Sequence, residues 1–315
     1  MNKQIIYFGI VSILYDVSPT TGCSQTLTAD QGVITSPNYP ASYPANTRCT
    51  YKIKVATGKR IRLQWTVFKV DGEMVKCDGG DYVIVSAGCS SPKVYSRYCN
   101  DDTNDYIPHD MYSRDECMQV YFYSNQVSSN FVTSFHATYT TYSKDVAAPA
   151  IDVCGGHRLR SLSGVLMSPG WPHTYKLNQQ SCSVRIYIDN SKLRIKLAFM
   201  QIDTYALNSG KQRCDVQGND VLKFRAKHRL SNKYDEFKYC SRQDPFYRYY
   251  FGNYSYIDVT FERVQTVNNS YSGFVVGYVL TKIKDVASKV DGCHSYCCPY
   301  LNVLYVPARK KTWWC

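Results

Sequence analysis

Hydrophobic and polar residues alternate along many short stretches of this chain. The runs Tyr51–Val55, Ile61–Trp65, Tyr82–Val85 and Val120–Tyr123 place apolar side chains at every second position, and clusters of Gly, Pro, Asn and Asp separate them. A period of two with many β-branched and aromatic residues predicts short strands, and no helical period persists. Several such strands at short spacing favour an all-β fold in which antiparallel sheets pack as a sandwich.

The same pattern occurs twice in the sequence. The run Ser-Pro-Asn-Tyr-Pro-Ala-Ser-Tyr at 36–43 returns as Ser-Pro-Gly-Trp-Pro-His-Thr-Tyr at 168–175, and residues 61–71 align without a gap on residues 193–203. Each repeat also holds four cysteines in the same order, and the first repeat has two more. They are Cys23, Cys49, Cys77 and Cys99, then Cys154, Cys182, Cys214 and Cys240, with Cys89 and Cys117 as the extra pair. The sequence therefore predicts two homologous domains, joined by a linker at 147–153.

These motifs resemble the CUB domain family. The first repeat carries the resemblance in Gly32–Pro40, Trp65, Phe68, Tyr98 and Phe135–Tyr139, and the second repeat resembles a more divergent member from 154 to about 282. The resemblance implies two jelly-roll-like sandwiches, each built from two antiparallel sheets. It also implies the disulfides Cys23–Cys49, Cys77–Cys99, Cys154–Cys182 and Cys214–Cys240, and exclusion then pairs Cys89 with Cys117.

The N-terminal residues and the cysteine content both indicate secretion. Lys3, the apolar stretch Ile5–Leu14 and the small residues up to Gly22 have the order of a secretory signal peptide. Fourteen widely spaced cysteines favour disulfides in an oxidising compartment. No later stretch approaches the roughly 18 apolar residues that cross a bilayer. We therefore predict a signal peptide at 1–22, CUB domains at 23–146 and 154–284, and a Cys-rich basic tail at 285–315, in a secreted protein that does not span a membrane.

The sequence favours a protein without catalytic activity. It contains no HExxH zinc motif, no Gly-x-Ser-x-Gly elbow and no phosphate-binding loop, and its six histidines are scattered. CUB domains accompany astacin-like and complement-type proteases, but this chain carries no protease domain. We therefore predict that the protein is not an enzyme.

The family resemblance implies a calcium site in the first repeat. Calcium-binding CUB domains gather a tyrosine and three acidic residues on loops at one end of the sandwich. The matching positions here are Tyr43, Asp71, Asp81 and Asn125, so the third acid is replaced by an amide. An amide oxygen can still bind a hard cation. The alternative interpretation is that these are solvated loop residues.

The second repeat is a poorer candidate for calcium. It keeps Tyr175 and Asp203, and Asp220 stands near the position of Asp81. The third acidic position is occupied by Val264, whose apolar side chain offers no ligand. The only cofactor that the sequence suggests is therefore calcium in the first domain.

Charge points to an anionic partner for the second repeat. The chain has a net charge of +12, with 12 basic and 12 acidic residues between 23 and 146 but 20 basic and 10 acidic residues between 154 and 286. On two predicted strands the basic residues alternate, so that they share one face. They are Lys192, Arg194 and Lys196 on one strand and Lys223, Arg225, Lys227 and Arg229 on the other. Such a face suits a sulfated glycosaminoglycan, an acidic matrix protein or phospholipid head groups, and secretion makes nucleic acid an unsuitable partner. The alternative is a solubilising surface without a specific ligand.

Two further features concern modification and assembly. Asn253 and Asn268 each begin a glycosylation sequon. The tail cysteines allow two internal disulfides, a zinc site together with His294, or crosslinks between chains that would produce a homo-oligomer. These cysteines are Cys293, Cys297, Cys298 and Cys315.

The resemblance favours an extracellular binding protein that recognises a protein or a glycan, in adhesion or in the extracellular matrix. A structural matrix or cuticle component is one alternative, because the chain has 29 tyrosines and a tail suited to crosslinking. A non-catalytic accessory to a protease and a toxin-like effector are alternatives from another class. The fold cannot distinguish them, because one fold serves many functions.

Overall fold

The computed structural model describes residues 23–72, 77, 79–100, 106–127, 129–143, 151–175, 181–206, 214–215, 218–250, 252–263 and 271–282. The predicted signal peptide, Val264, the sequon at Asn268 and the Cys-rich tail lie outside the described residues.

The described residues form an all-β structure, which confirms the predicted fold class. In the first repeat the strands are β1 (Gln25–Leu27), β2 (Gln31–Thr35), β3 (Arg48–Lys54), β4 (Lys59–Lys69), β5 (Tyr82–Ala87), β6 (Lys93–Tyr98), β7 (Met111–Tyr112), β8 (Cys117–Tyr123) and β9 (Ser134–Ser143). In the second repeat they are β10 (Ile151–Asp152), β11 (Arg158–Leu159), β12 (Ser163–Met167), β13 (Ser181–Tyr187), β14 (Leu193–Asp203), β15 (Val221–His228), β16 (Tyr234–Tyr239), β17 (Arg242–Gln243), β18 (Phe246–Tyr250), β19 (Tyr254–Glu262) and β20 (Gly273–Lys282). A single 3₁₀ turn, Val153–Gly155, follows β10.

Each repeat folds into two sheets. In the first, the order β1-β3-β8-β5-β6 faces the order β2-β9-β4-β7, and in the second, β11-β13-β19-β15-β16 faces β10-β12-β20-β14-β17, where β18 also pairs with β14. Alternation along the strands explains the layers, because Cys49, Tyr51 and Ile53 of β3 are buried while their neighbours face outward. Residues 151 and 152, which the sequence assigned to the linker, pair with β12 of the second repeat.

Five disulfides crosslink the described residues of these sandwiches. The structure contains the pairs Cys23–Cys49, Cys77–Cys99, Cys89–Cys117, Cys154–Cys182 and Cys214–Cys240. Each closes a segment of 22 to 28 residues. Loops of this length stabilise a fold by about 3 kcal/mol per disulfide, mainly because they restrict the unfolded chain.

The two sandwiches pack against each other through an apolar contact. Met167, Trp171 and Met200 of the second repeat belong to the same buried cluster as Met111 and Tyr112 of the first. The Trp171 ring lies 6.0 Å from that of Tyr112. The outer face of β14 is therefore covered by the first repeat instead of facing water.

This contact corrects the prediction for Lys196. Its side chain was expected to project into solvent, but the residue is only 5% exposed. Its Nζ donates a hydrogen bond to the backbone oxygen of Arg97 and lies 4.4 Å from the ring centroid of Tyr98, with Tyr249 at 5.3 Å. Burial and the charge of Arg97 lower the pKa of Lys196 to about 7. Lys196 therefore joins the two repeats and is not available to an external polyanion.

Strand register also corrects the alignment of the two repeats. In the first repeat β4 pairs with β9, and the register shifts after Trp65 because of a β-bulge. In the second repeat β14 pairs with β20, and the register shifts in the same way after Phe199. Trp65 therefore corresponds to Phe199, two residues further along than the ungapped alignment predicts. A shift of two residues leaves every side chain on the same face of a strand, so the apolar pattern could not reveal it.

Candidate functional site

Three of the residues predicted to bind calcium meet at one end of the first sandwich. The Tyr43 hydroxyl donates a hydrogen bond to Asp81 Oδ2 at 2.7 Å and accepts one from the backbone N–H of Asp71 at 3.1 Å. The Ser129 hydroxyl donates to Asp71 Oδ2. A phenol, two carboxylates and a hydroxyl are thus linked by one hydrogen-bond network.

Backbone contacts bring the two acids together. Asp71 follows β4 and Asp81 precedes β5, and the Asp81 N–H donates to the Asp71 carbonyl at 2.7 Å. The chain passes so closely here that a Cβ on Gly72 would lie 2.4 Å from the Asp81 carbonyl oxygen. A Cβ on Gly80 would lie 2.6 Å from Gly72 Cα. Both positions therefore require glycine.

Asn125 reaches this site mainly through its backbone. Its N–H donates to Asp81 Oδ1 at 2.8 Å, whereas its side-chain oxygen accepts a hydrogen bond from the Val127 N–H at 2.7 Å. An amide oxygen has a second lone pair, so this bond leaves one available. The structure places Asn125 beside the acids but directs its side chain into a local turn.

The site is electrostatically suited to a cation. Asp81 is 2% exposed, and burial raises the pKa of its carboxyl group, with a smaller contribution in the same direction from Asp71. Among the described residues, no Lys, Arg or His forms an ion pair with either acid. Hard oxygen ligands with uncompensated negative charge are what Ca²⁺ requires. The residues present therefore fit a calcium ion.

The second repeat keeps these hydrogen bonds but only one of the two acids. The Tyr175 hydroxyl donates to Asp220 Oδ2 at 2.5 Å and accepts from the backbone N–H of Tyr205 at 3.1 Å. The Asp220 N–H donates to the Tyr205 carbonyl at 3.0 Å. These are the bonds that Tyr43, Asp81 and Asp71 make in the first repeat. Tyr205, and not Asp203, is therefore the counterpart of Asp71, which corrects the sequence assignment.

Cationic side chains stand near this second end. Asp203 accepts hydrogen bonds from Arg242 Nε at 2.8 Å and from the Ser272 hydroxyl at 2.8 Å. Burial alone would raise the pKa of Asp203, but these bonds lower it below its usual value. The Arg263 guanidinium lies 6.0 Å from the centroid of the Tyr175 ring. Among the described residues, the second end therefore has one carboxylate fewer and an arginine close to its tyrosine, so it fits calcium less well than the first end.

The predicted basic face of the second repeat is broken up by acids. Arg225 lies opposite Asp258 on β19 and opposite Glu236 on β16. Lys223 forms an ion pair with Glu262. The expectation of an unopposed row of cations is therefore wrong, because neighbouring strands, which the sequence alone did not align, contribute carboxylates between them.

The remaining cations of this predicted face are also engaged locally. Lys227 Nζ lies 3.2 Å from the side-chain oxygen of Asn232, and Arg229 donates to the backbone oxygens of Ile188 and Tyr254. Arg194 donates to the backbone oxygen of Ser191 at 2.7 Å. These bonds serve the turns at one end of the sandwich.

The sequon at Asn253 lies just before β19 and is partly exposed. Its side-chain oxygen lies 3.3 Å from Arg229 Nε. The part of the chain that the structure describes also contains one cluster of potential metal ligands formed by Cys89, Asp115 and Cys117. Its two sulfur atoms form a disulfide, so they do not provide thiolates for a metal.

Comparison with known protein families decides what these two sandwiches are. The family profile of the CUB domain matches residues 23–139 and 154–278. The chain belongs to the CUB domain family. CUB domains are typically extracellular modules that bind proteins.

Other CUB proteins share part of this sequence. Cubilin of Rattus norvegicus is 29% identical over 191 residues, which cover 61% of this chain and 5% of cubilin. Tolloid-like protein 2 of Homo sapiens is 27% identical over 211 residues, which cover 58% of this chain and 20% of the relative. The chain thus spans only a small part of the length of these relatives.

Solved CUB structures are also similar to this chain. The calcium-bound CUB2 domain of MASP-1 is 26% identical, covers 36% of this chain and 96% of its own, and gives a TM-score of 0.31. The CUB1-EGF-CUB2 fragment of human MASP-1/3 is 20% identical, covers 80% of this chain and 100% of its own, and gives a TM-score of 0.33. Within the described residues, no helix has the length and apolar character needed to cross a membrane.

Proposed function

We propose that this protein is a secreted, non-catalytic binding protein whose first CUB domain uses a calcium-stabilised end to recognise an extracellular protein. The observation that carries the proposal is the buried Asp81 carboxylate, which meets Asp71 and Tyr43 without a compensating cation among the described residues. Burying such a charge is costly unless an opposite charge accompanies it. A bound Ca²⁺ supplies that charge.

The ligands for calcium come from loops that are distant in sequence. Asp71 and Asp81 flank the β4–β5 connection, while Asn125 and Ser129 lie between β8 and β9. A divalent cation held by these groups ties the two connections together. Loops fixed in this way present a preorganised surface, which lowers the entropy that binding a partner costs.

The extracellular setting is supported by the disulfides. Five bridges within the described residues are typical of proteins that mature in an oxidising compartment. A signal peptide at 1–22 and glycosylation at Asn253 and Asn268 belong to the same proposal. Adhesion or a matrix role is our preferred setting, and a non-catalytic accessory to a protease is the alternative.

The test is binding of the full-length secreted protein to a panel of purified extracellular proteins and receptor ectodomains, with calcium and with a chelator. We expect a partner whose affinity falls at least about tenfold when calcium is removed and when Asp71 is changed to Asn. Asp189→Asn, an exposed acid of the second repeat, is the matched control and should bind normally. A partner bound equally well in the chelator and by Asp71→Asn would contradict the proposal, as would hydrolysis of a panel member by the purified protein.

A further inference from the structure

The first repeat has no net charge overall, but one of its sheet faces carries exposed cations. We propose that the outer face of its sheet β1-β3-β8-β5-β6 binds a linear anionic polysaccharide. We call this surface the first-repeat face. It is defined by the cations Arg48, Lys52, Lys54 and Arg97, the tyrosines Tyr82, Tyr121 and Tyr123, and the polar residues Thr26, Thr50 and Gln119.

Strand register places these side chains on one side of the sheet. Arg48 of β3 lies opposite Tyr123 of β8, which lies opposite Tyr82 of β5. Along each strand every second residue points to the same face, so further rows of side chains follow this one two residues apart. They are Thr50, Tyr121, Ile84 and Arg97 in one row, and Thr26, Lys52 and Gln119 in the other.

The cations of β3 are exposed, and no acid among the described residues forms an ion pair with them. These cations are Arg48, Lys52 and Lys54. The outward positions of the rows contain no Asp or Glu. The face of the second repeat differs, because Asp258, Glu236 and Glu262 lie between its cations. Uncompensated cations attract a polyanion more strongly than cations that are already paired.

Aromatic rings hold the arginines in position. The Arg48 guanidinium lies 5.6 Å from the Tyr123 ring centroid, and Tyr123 stacks on Tyr82 with centroids 4.9 Å apart and planes 24° apart. Arg97 lies 4.2 Å from the Tyr82 centroid on the other side. The cation–π contact of Arg48 with Tyr123 does not use the N–H groups of the guanidinium, so they can bind a sulfate or carboxylate.

A depression lies at the end of this face next to the calcium site. Its volume is about 620 Å³, and its lining includes Asn46, Arg48, Tyr123, Asn125 and Gln126. Amide groups hydrogen-bond hydroxyls, and a guanidinium binds an acidic substituent. This combination fits a sugar that carries both groups.

The spacing of the cations favours a linear polymer. Alternate residues on a strand are about 7 Å apart, so Arg48 and Lys52 are separated by about 14 Å along β3. A chain with regularly repeated anions can contact each in turn. The face offers hydroxyls and amides between its cations, and the aliphatic side chains on these rows are Ile84 and, on the edge strand, Val94, so it lacks the extended aliphatic centre of a typical protein interface. A polysaccharide therefore fits better than an acidic protein.

The test compares two triple variants of the full-length protein for binding to size-defined heparin oligosaccharides as a function of salt. Arg48→Ala, Lys52→Ala and Lys54→Ala together should weaken binding by about tenfold to a hundredfold, and they should reduce the slope of log K against log salt by about two to three. The matched control combines Lys192→Ala, Lys223→Ala and Arg225→Ala in the second repeat. It should change the affinity less than about threefold. Calcium binding by both variants verifies that the first repeat remains folded.

Several results would overturn this proposal. A second series of titrations uses polyglutamate of equal charge in place of heparin. Tighter binding of polyglutamate than of heparin would indicate an acidic protein partner instead. Loss of heparin binding only in the control variant would move the site to the second repeat. No heparin binding by the wild type at physiological salt would remove the site altogether. Neither triple variant changes Tyr43, Asp71 or Asp81, and calcium binding is measured separately, so failure of heparin binding is distinguishable from failure of the calcium proposal.

Discussion

The equivalent ends of the two CUB domains share one hydrogen-bond pattern but differ in charge. In each, a buried tyrosine hydroxyl donates to an aspartate, at 2.7 Å for Tyr43 and 2.5 Å for Tyr175. The first end adds the carboxylate of Asp71, whereas the second places Tyr205 there and has Arg263 near its tyrosine. The hydrogen bonds thus maintain the shape of the end, and the acids determine whether it can bind a metal. The hydrogen bonds of the tyrosine therefore have a structural role that both domains keep, whereas the ability to bind a metal depends on the acids and can be lost without losing that structure.

Removing the Asp71 carboxylate from the first domain should have the largest effect, which is on the stabilisation of the protein by calcium. With saturating calcium, the wild-type protein should melt at a higher temperature than in a chelator, because calcium binds the folded state. Asp71→Asn should abolish most of that difference, with a calcium affinity lowered by about a hundredfold, since ligand charge strongly tunes such sites. Differential scanning calorimetry measures the change. An unaltered calcium-dependent shift in Asp71→Asn would show that the ion binds elsewhere.

Acid should weaken the contact between the two repeats. His109 is 3% exposed at this contact, where its ring leaves no room for a side chain at Gly277. Its ring nitrogens meet the Tyr98 hydroxyl at 2.9 Å and the Asp110 carbonyl at 2.7 Å, and the Asp110 carboxylate is paired with Arg62. Burial, together with the nearby charge of Lys196, lowers the pKa of His109 from 6.5 to about 4.

The direction of this pH dependence follows from linkage. The unfolded chain binds a proton at His109 more readily than the folded chain, so the stability from neutral His109 is complete above pH 6.5. It should be lost as the pH falls towards 4, by up to about 3 kcal/mol. Urea denaturation at several pH values measures it. His109→Gln should flatten the profile between pH 6.5 and 4, whereas His136→Gln should not, and equal profiles for the two variants would refute the assignment.

Removing the charge of an acid in a chelator should destabilise the second end more than the first. Asp203→Asn loses its charged bond with the partly exposed Arg242 and should cost about 1–2 kcal/mol. Asp81→Asn should cost less or even stabilise the protein, because burial raises the pKa of Asp81 and neutralising it relieves that cost. Urea denaturation at neutral pH compares them. A larger loss for Asp81→Asn than for Asp203→Asn would contradict the difference in charge balance.

Restoring an acid to the second end should give the smallest effect. Tyr205→Asp combined with Arg263→Ser supplies a carboxylate at the position of Asp71 and removes a nearby cation. We expect a second calcium site of millimolar affinity, typical of weak extracellular sites. Calcium titration monitored by ⁴³Ca NMR detects such binding. The single variant Arg263→Ser is the control, and calcium binding by that variant without the new acid would contradict our view that carboxylate number decides.

Much of the fold could be predicted from the sequence, because period-two patterns report directly on strands and the resemblance to CUB domains implies the disulfide pairing. The site was harder to predict in the second repeat. Asp203 was matched to Asp71 because a two-residue shift preserves the face of every strand, and the true register is revealed by the strand pairing and by the hydrogen bonds to Tyr205. The bulges after Trp65 and Phe199 leave no clear mark in the apolar pattern.

Charge patterns along single strands were misleading for a related reason. Lys196 alternates correctly with apolar residues, but its face of β14 is covered by the first repeat. Arg225 alternates as well, yet Asp258 and Glu236 flank it from strands that are distant in sequence. Conversely, Arg48, Lys52 and Lys54 alternate within a domain of balanced charge, so regional counting concealed them. Which charges meet across a sheet depends on strand order, which local sequence does not determine.

Isothermal titration calorimetry of the full-length protein with calcium would show directly whether the first CUB domain binds calcium and the second does not. We expect one calcium ion bound per chain, an affinity lowered about a hundredfold by Asp71→Asn, and an unchanged affinity after Asp203→Asn. Zero sites or two sites in the wild type would contradict this expectation, and so would loss of binding in Asp203→Asn with retention in Asp71→Asn.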